Sequence, residues 1–105
     1  MIELTNGDFE KTIKEEEYTV VDFWAPWCGP CQNYGPVFSE AANNFNGEVT
    51  FAKLNVDENP SIASKYSVSS IPCTVVFAKE GMEKTRFMGA ISKDQIIEKV
   101  KEAIQ

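Results

Sequence analysis

Residues 23–32 read Phe23-Trp24-Ala25-Pro26-Trp27-Cys28-Gly29-Pro30-Cys31-Gln32. Two cysteines separated by two residues can close a small disulfide ring, or they can present both thiols to one metal or one substrate. The spacing therefore indicates thiol chemistry, and the residues on either side of the pair decide which kind is meant.

The sequence around this pair predicts a strand that leads into a helix. Residues 18–24 are apolar at both parities, which is typical of a strand buried on both faces of a sheet. After the cysteines, apolar side chains recur at spacings of three and four, as in an amphipathic helix: Tyr34, Val37, Phe38, Ala41, Ala42 and Phe45. Both thiols are therefore expected where a tight turn becomes a helix.

This position predicts that the two thiols differ in reactivity. Cys28 lies at the helix N-terminus, where unpaired backbone N–H groups and the positive end of the helix dipole favour a thiolate. Cys31 lies about one turn further along and is expected to be less exposed. Disulfide exchange requires such a pair, an activated outer thiol that attacks and a shielded inner thiol that resolves.

An ordered set of motifs over nearly the whole chain resembles the thioredoxin family. The set consists of Val21-Asp22-Phe23-Trp24-Ala25, Trp27-Cys28-Gly29-Pro30-Cys31, Pro36, Lys53-Leu54-Asn55-Val56-Asp57, Ile71-Pro72, Gly81 and Gly89-Ala90. Two cysteines alone would be weak support for a family, but this ordered set is specific. The resemblance implies one domain, residues 1–105, with the α/β thioredoxin fold: a central mixed five-stranded β-sheet flanked by four helices.

The hydrophobic pattern predicts elements in the order β-α-β-α-β-α-β-β-α. The strands are expected at residues 2–4, 19–25, 49–56, 74–78 and 83–88. The predicted helix starts are an N-cap at Thr5 or Asn6, the turn at the two cysteines, Asn59-Pro60, and a capping box formed by Ser92 and Gln95. The long second helix should run to about Asn44, with a bend at Pro36, and the third should reach Tyr66.

Asp22 lies in the middle of an apolar strand pattern, so it is either a solvated residue near a strand end or a buried carboxyl group. We favour a buried carboxyl group with a raised pKa that takes the proton of Cys31. In the resemblance, Asp22 matches the buried aspartate of the family. The resemblance also places Lys53 beside it, although by its residue chemistry Lys53 could equally be an ordinary edge lysine.

The resemblance further implies a substrate-binding rim around the cysteines. A cis proline, Pro72, would face them, and the backbone of Ile71 would pair with an extended substrate segment. Gly89 and Ala90 would leave room for that segment, and Trp27, Gly29 and Pro30 would complete an uncharged surface. Cys73 departs from the threonine that is usual after this proline, and it is either a small buried apolar residue or a third reactive thiol.

Composition excludes several other classes of function. The net charge of −6 argues against nucleic acid or an anionic membrane as partner. The chain has no histidine, which excludes Cys-His and Ser-His hydrolases. No apolar run approaches the ~20 residues of a membrane span, and no signal peptide is recognised, so the protein is expected in the cytoplasm. A monomer is also expected.

These observations lead to a thiol–disulfide oxidoreductase that reduces protein disulfides. Cys28, Cys31 and Asp22 are the expected catalytic residues. The expected supporting residues are Lys53, Trp27, Gly29, Pro30 and Pro72, and the expected substrate-binding residues are Trp27, Ile71, Pro72, Gly89 and Ala90. No bound cofactor or metal is expected. The expected partners are disulfide-containing proteins and a thioredoxin reductase, either an NADPH-dependent flavoprotein or a ferredoxin-linked enzyme.

Three alternatives stay open at the level of sequence. An oxidase or isomerase of the same fold would use the same thiols, although Gly29-Pro30 matches the reducing branch of the resemblance. A zinc site usually needs four Cys or His ligands, and this chain has three cysteines and no histidine. A docking subunit would keep its function without Cys28. Gln32, where many relatives have lysine, also leaves the degree of thiolate stabilisation open.

Overall fold

The computed structural model describes residues 1–105 and contains the predicted order of elements. The strands are β1 (Ile2–Leu4), β2 (Tyr18–Trp24), β3 (Val49–Asn55), β4 (Cys73–Ala78) and β5 (Met82–Met88). The helices are α1 (Phe9–Glu15), α2 (Gly29–Ala42), α3 (Pro60–Lys65) and α4 (Lys93–Ala103), and a short 3₁₀ turn, Lys79–Gly81, joins β4 to β5. Strand bounds differ from the predicted ones by at most one residue, whereas α2 ends two residues earlier than expected.

The five strands form one mixed sheet in the order β1-β3-β2-β4-β5. The first three strands in that order are parallel to one another, and β4 runs antiparallel to both β2 and β5. β2 therefore lies at the centre of the sheet, and its C-terminal end leads directly into the two cysteines. A mixed five-stranded sheet flanked by four helices is the architecture that the resemblance implied.

Successive residues of β2 face opposite sides of this sheet, as the pleat requires. Val21 and Phe23 belong to a buried apolar cluster with side chains of α1 and α3, among them Phe9. Val20 belongs to a second buried cluster with side chains of α2 and α4, among them Phe38. Asp22 has the same parity as Val20, so its carboxyl group faces the side that α2 covers.

The helix starts were predicted with mixed success. The predicted N-cap of α1 at Thr5 or Asn6 is wrong, because α1 begins at Phe9 and Asp8 precedes it. The Asp8 carboxylate accepts the backbone N–H of Thr5 at 2.7 Å instead of capping the helix. The capping box of α4 is confirmed: the Ser92 hydroxyl accepts the N–H of Gln95 at 3.2 Å, and the Gln95 side chain accepts the N–H of Ser92 at 3.0 Å.

Asn59 and Pro60 open α3 as predicted, but the Asn59 side chain does not cap the helix. Its Nδ2 donates to the carbonyl oxygen of Asn55 at 3.1 Å, and its Oδ1 accepts the backbone N–H of Asn6 at 2.9 Å. Asn59 therefore ties the loop before α1 to the end of β3. Pro36 lies inside α2, which continues on both sides of it. None of the four helices has the length and apolar character that a membrane span needs.

Candidate active site

The two cysteines lie at the first turn of α2 and form a disulfide bond. Cys28 is the N-cap residue, with an extended backbone (φ −86°, ψ 109°), and its Sγ accepts the backbone N–H of Cys31 at 3.2 Å. Pro30 occupies the first turn, where its missing N–H leaves no hydrogen bond unmade. A sulfur atom held against a free N–H at a helix N-terminus is well placed to carry negative charge once the disulfide is reduced.

The predicted difference in exposure between the two thiols is not present in the disulfide form. Cys28 is 5% exposed and Cys31 is 4% exposed. Their surroundings differ instead. Cys28 Sγ lies 3.9 Å from the carbonyl oxygen of Ile71, on the side of the loop before β4. Cys31 borders a surface cavity that also contains Lys53.

Asp22 is fully buried, so the alternative of a solvated aspartate near a strand end is wrong. Neither of its carboxyl oxygens has a hydrogen-bond partner. Burial raises the pKa of Asp22 to about 7; Lys53 lowers it in part, and Glu3 adds to the increase. A carboxyl group with this pKa can both take up and release a proton near neutral pH.

Lys53 is the residue of β3 directly beside Asp22 in the sheet register. The two side chains nevertheless form no ion pair within 4.0 Å, because the Lys53 ammonium lies over the ring of Trp24, 4.8 Å from its centre. A Cβ atom at Gly35 would lie 3.6 Å from Lys53 Nζ, an ordinary contact distance, so the ammonium group lies close beneath α2. Lys53 thus acts on the Asp22 carboxyl group through space.

The cavity beside Cys31 was not anticipated from the sequence. It has a volume of about 400 Å³ and is open at the surface. Its lining consists of Trp24, Cys31, Gln32, Gly35, Pro36, Ser39 and Lys53. A space of this size has room for water molecules, so it gives solvent access to Cys31 and to Lys53.

The loop before β4 faces the cysteines as the resemblance implied. The peptide bond between Ile71 and Pro72 is cis. The carbonyl oxygen of Pro72 accepts the backbone N–H of Gly89 at 2.9 Å, which holds the end of β5 against this loop. Gly89 has a φ of +92°, a conformation that favours glycine, whereas a Cβ atom there would meet no atom within 4 Å. The backbone conformation therefore explains this glycine within the chain.

The residues predicted to form the rim differ in exposure. Trp27 is 71% exposed, and Gly29, Pro30 and Ala90 are also exposed. Ile71 and Gly89 are half-buried, whereas Pro72 is buried. Met88, which precedes Gly89 and was not singled out from the sequence, is 56% exposed. Its place at the end of a strand was visible in the sequence, but a methionine there carries no signal of its own.

Sequence reasoning also missed a pair of buried hydroxyl groups beside Asp22. Tyr34 on α2 and Thr74 on β4 are 1% and 0% exposed, and their side-chain oxygens lie 2.7 Å apart. Thr74 is the register partner of Asp22 on the neighbouring strand. Asp22, Tyr34 and Thr74 are separated in sequence, so their proximity becomes visible only from the pairing of β2 with β4.

The third cysteine lies on the opposite side of the sheet from Asp22. Cys73 is 1% exposed and belongs to the apolar cluster under α1 and α3, together with Phe23. It is a free thiol, and burial raises its pKa. Both facts favour the interpretation of Cys73 as a small apolar core residue over that of a third reactive thiol.

Two further site features bear on the alternatives. Gln32 is exposed, and its Nε2 donates to the carbonyl oxygen of Pro26 at 3.0 Å, so it braces the turn before the cysteines. No group of three or more His, Cys, Asp or Glu side chains is arranged to hold a metal ion.

Comparison with known proteins gives a consistent result. Residues 1–102 match the family model described as Thioredoxin. The chain is 44% identical to a thioredoxin of Chlorobaculum thiosulfatiphilum over 97% of this chain and 94% of that protein. It is 43% identical to a thioredoxin of Staphylococcus epidermidis over 93% of this chain and 92% of that protein. Among solved structures, a mutant thioredoxin from Halobacterium salinarum superposes with a TM-score of 0.86 at 28% identity, covering 99% of this chain and 90% of that chain.

Proposed function

Because this chain belongs to the thioredoxin family, we propose that Cys28 is its attacking thiol, Cys31 its resolving thiol and Asp22 the group that accepts the Cys31 proton. The reaction class follows from the family: the chain is a thiol–disulfide oxidoreductase that reduces protein disulfides. The observation that carries the proposed roles is the position of the disulfide, with Cys28 at the N-cap of α2 and Cys31 inside its first turn.

The first step is attack by Cys28 on the substrate. In the reduced protein, the Cys28 thiolate attacks one sulfur of a substrate disulfide, and the substrate S–S bond breaks as a Cys28–substrate bond forms. The other substrate sulfur leaves as a thiolate and takes a proton from solvent. The N–H of Cys31, 3.2 Å from Cys28 Sγ in the disulfide form, and the α2 dipole both stabilise the attacking thiolate.

The second step is resolution by Cys31. Asp22 takes the Cys31 proton, and the new thiolate attacks Cys28 Sγ, which forms the Cys28–Cys31 disulfide and releases the second substrate sulfur as a thiolate. Since the pKa of Asp22 is about 7, the carboxylate is available near neutral pH and still basic enough to accept a proton. Asp22 lies on the sheet face that α2 covers, and its neighbour Lys53 shares the water-accessible cavity with Cys31.

Substrate binding is assigned to the rim. Trp27, Gly29, Pro30 and Ala90 offer an uncharged surface that accepts many partners without reading their charges. The carbonyl group of Ile71 lies beside Cys28 and can pair with an extended substrate segment, which would bring a disulfide to the thiolate. Pro72 and Lys53 support the site by shaping this loop and by tuning Asp22.

Partners of the family are disulfide-bonded substrates and a reductase that returns the chain to its dithiol form. For this chain we infer a single domain, residues 1–105, that works as a monomer in the cytoplasm and needs no resident cofactor. Its electrons come from either a flavoprotein or a ferredoxin-linked thioredoxin reductase. Purified reductases of the two kinds, each offered the oxidised chain, would separate these donors by which one reduces it.

The proposed roles can be tested by reduction of insulin with dithiothreitol. We expect wild type and Cys73→Ser to accelerate the reaction equally, and Cys28→Ser and Cys31→Ser to lose the acceleration. The two inactive variants separate the roles: Cys31→Ser should accumulate a mixed disulfide with insulin, whereas Cys28→Ser should not. An inactive wild type would contradict the reductase function. Trapping by Cys28→Ser instead of Cys31→Ser would reverse the assigned roles.

A further inference from the structure

A pair of hydroxyl groups lies next to the one charged side chain that this chain buries completely. Tyr34 reaches down from α2, Thr74 points up from β4, and their oxygens lie 2.7 Å apart with either atom able to donate. The remaining buried residues of this cluster are hydrocarbon side chains, among them Val20 and Phe38. The two hydroxyl groups therefore form a polar pair in an apolar layer. Packing of that layer does not require polar side chains at these two positions.

The strand register places that pair beside Asp22. Thr74 is opposite Asp22 in the antiparallel pair of β2 and β4, where Cβ atoms of opposed residues are typically about 4.5–5.5 Å apart. The disulfide form shows no hydrogen bond between them, since both carboxyl oxygens of Asp22 are without a partner. A contact between the Thr74 hydroxyl group and the Asp22 carboxyl group would therefore require a rotation of the Asp22 side chain or one bridging water molecule.

Hydroxyl groups suit both protonation states of such a neighbour. Each has one proton to donate and lone pairs that accept. When Tyr34 donates to Thr74, the Thr74 proton is free to point at the Asp22 carboxylate. When Asp22 is protonated, the direction reverses, and Thr74 accepts from the acid and donates to Tyr34. Chains of this kind strengthen one another, and the bond to the charged form is the stronger one.

We propose that Tyr34 and Thr74 are positioning residues that stabilise the ionised carboxyl group of Asp22 and thereby set the pH at which it accepts the Cys31 proton. This inference rests on the role proposed for Asp22. The other groups that act on the carboxyl group are Lys53 of β3, which favours the charged form, and Glu3 of β1, which opposes it. Cys73 of β4 belongs to the cluster on the other face of the sheet, and the thiols of α2 are joined in the disulfide.

The direct test is the titration of the Asp22 side-chain carboxyl carbon by ¹³C NMR in the oxidised protein. Thr74→Val removes a hydroxyl group at nearly constant volume, and we expect it to raise the midpoint by about one pH unit, a tenfold change in the ionisation constant. Tyr34→Phe should raise it by less, because Thr74 keeps its own proton. Thr74→Ser restores the hydroxyl group and should return the midpoint to the wild-type value.

Two matched controls separate this effect from a general change of packing. Thr19→Val removes a buried threonine hydroxyl on β2 that has no hydrogen-bond partner and that has the parity of Val21, on the other face of the sheet. Tyr66→Phe removes a tyrosine hydroxyl that bonds Glu10 on that side. Neither should move the Asp22 midpoint. If Thr74→Val does not fold, Tyr34→Phe decides the matter alone, since it loses one oxygen only.

Midpoints that stay at the wild-type value in both Thr74→Val and Tyr34→Phe, or that move down, would overturn the proposal. The titration requires no turnover, so it is independent of the reductase assay. If wild type reduces insulin but the Asp22 midpoint does not move in Thr74→Val and Tyr34→Phe, only the proposed role of the two hydroxyl groups is contradicted. If wild type does not reduce insulin, the proposed function falls whatever the midpoints show. As a second readout, the pH profile of product release should shift upward in Thr74→Val by the same amount as the midpoint.

Discussion

The two faces of the central sheet bury different chemistry, although the same strands build both. The face under α1 and α3 carries an apolar cluster of eleven residues, and one of them, Cys73, is a free thiol. The face under α2 and α4 also holds an apolar cluster, but it places Asp22, Thr74 and Tyr34 together beneath the helix that begins at the disulfide. Strand alternation alone separates the two environments, since Asp22 lies between Val21 and Phe23.

This contrast shows that burial by itself does not make a group functional. Cys73 and Asp22 are both almost fully buried, and burial raises the pKa of each. A raised pKa favours the neutral form of the Cys73 thiol, which is a weaker nucleophile than the thiolate. The carboxyl group is brought to a pKa of about 7, where it can exchange a proton at neutral pH. The difference lies in what surrounds each group and in which element covers it.

The largest expected effect comes from introducing a second carboxyl group, on the other face of the sheet. Val21→Asp would place this new group in the apolar cluster under α1 and α3, where no lysine lies beside it in the register. We expect a loss of about 4 kcal/mol or more in the free energy of unfolding at pH 7, measured by urea titration. Val21→Ala, which only removes volume, is the control and should cost less. Equal losses in the two variants would contradict the asymmetry of the faces.

Replacement of the native carboxyl group of Asp22 should instead raise the free energy of unfolding at high pH. The folded protein holds the Asp22 proton more tightly than the unfolded chain, with a pKa of about 7 against 3.8. The protonated Asp22 therefore contributes its full share of the free energy of unfolding below about pH 4, and this contribution is lost as the pH rises through 7. Relative to wild type, Asp22→Asn should gain about 4 kcal/mol in unfolding free energy between pH 4 and pH 9. A difference that is the same at both values of pH would show that Asp22 does not titrate in this range.

Lys53→Met should act on the same carboxyl group more weakly. It removes a cation that lowers the pKa of Asp22 without forming an ion pair with it. We expect the Asp22 midpoint in the oxidised protein to rise by about one pH unit or less, as seen by ¹³C NMR. Lys65→Met, on α3 at the other face, serves as the control and should leave the midpoint in place. A midpoint that does not respond to Lys53→Met would mean that the cation is fully screened.

The smallest expected effect is that of Cys73→Ala. Removal of one buried sulfur atom from the apolar cluster should lower the free energy of unfolding by about 1 kcal/mol. Insulin reduction should stay at the wild-type rate, because the thiol lies on the face that the mechanism does not use. A clear fall in activity without loss of folded protein would return Cys73 to the list of reactive thiols.

Some sequence patterns predicted the fold better than others. Strand patterns around Val20 and Val75 and the cysteine motif before α2 were strong enough to place every element in order. The predicted start of α1 was wrong, because Thr5 and Asp8 both offer oxygens that could cap a helix. In the folded turn the Asp8 carboxylate accepts the N–H of Thr5 instead. Local sequence does not rank two such competing side chains.

The candidate site divides in the same way. Cys28, Cys31 and Asp22 were singled out from the sequence because each residue breaks a local pattern or completes a motif. The Tyr34–Thr74 pair was missed, since Tyr34 looks like an ordinary member of an apolar helix stripe and Thr74 like an ordinary strand residue. Only the register that pairs β2 with β4 brings them to Asp22, and register is a property of the whole sheet. The position of Lys53 over Trp24 likewise depends on the folded arrangement.

The central claim is that the carboxyl group under α2 drives the resolving step. Its most direct test is the single-turnover release of product from the Cys28–substrate mixed disulfide, followed by acid quench, alkylation and mass spectrometry at a series of pH values. For wild type we expect the rate to rise with pH through a midpoint near 7, the pKa of Asp22. Asp22→Asn should lose that midpoint and release product about 100-fold more slowly at pH 7. The same rate and the same pH profile in both proteins would contradict the account.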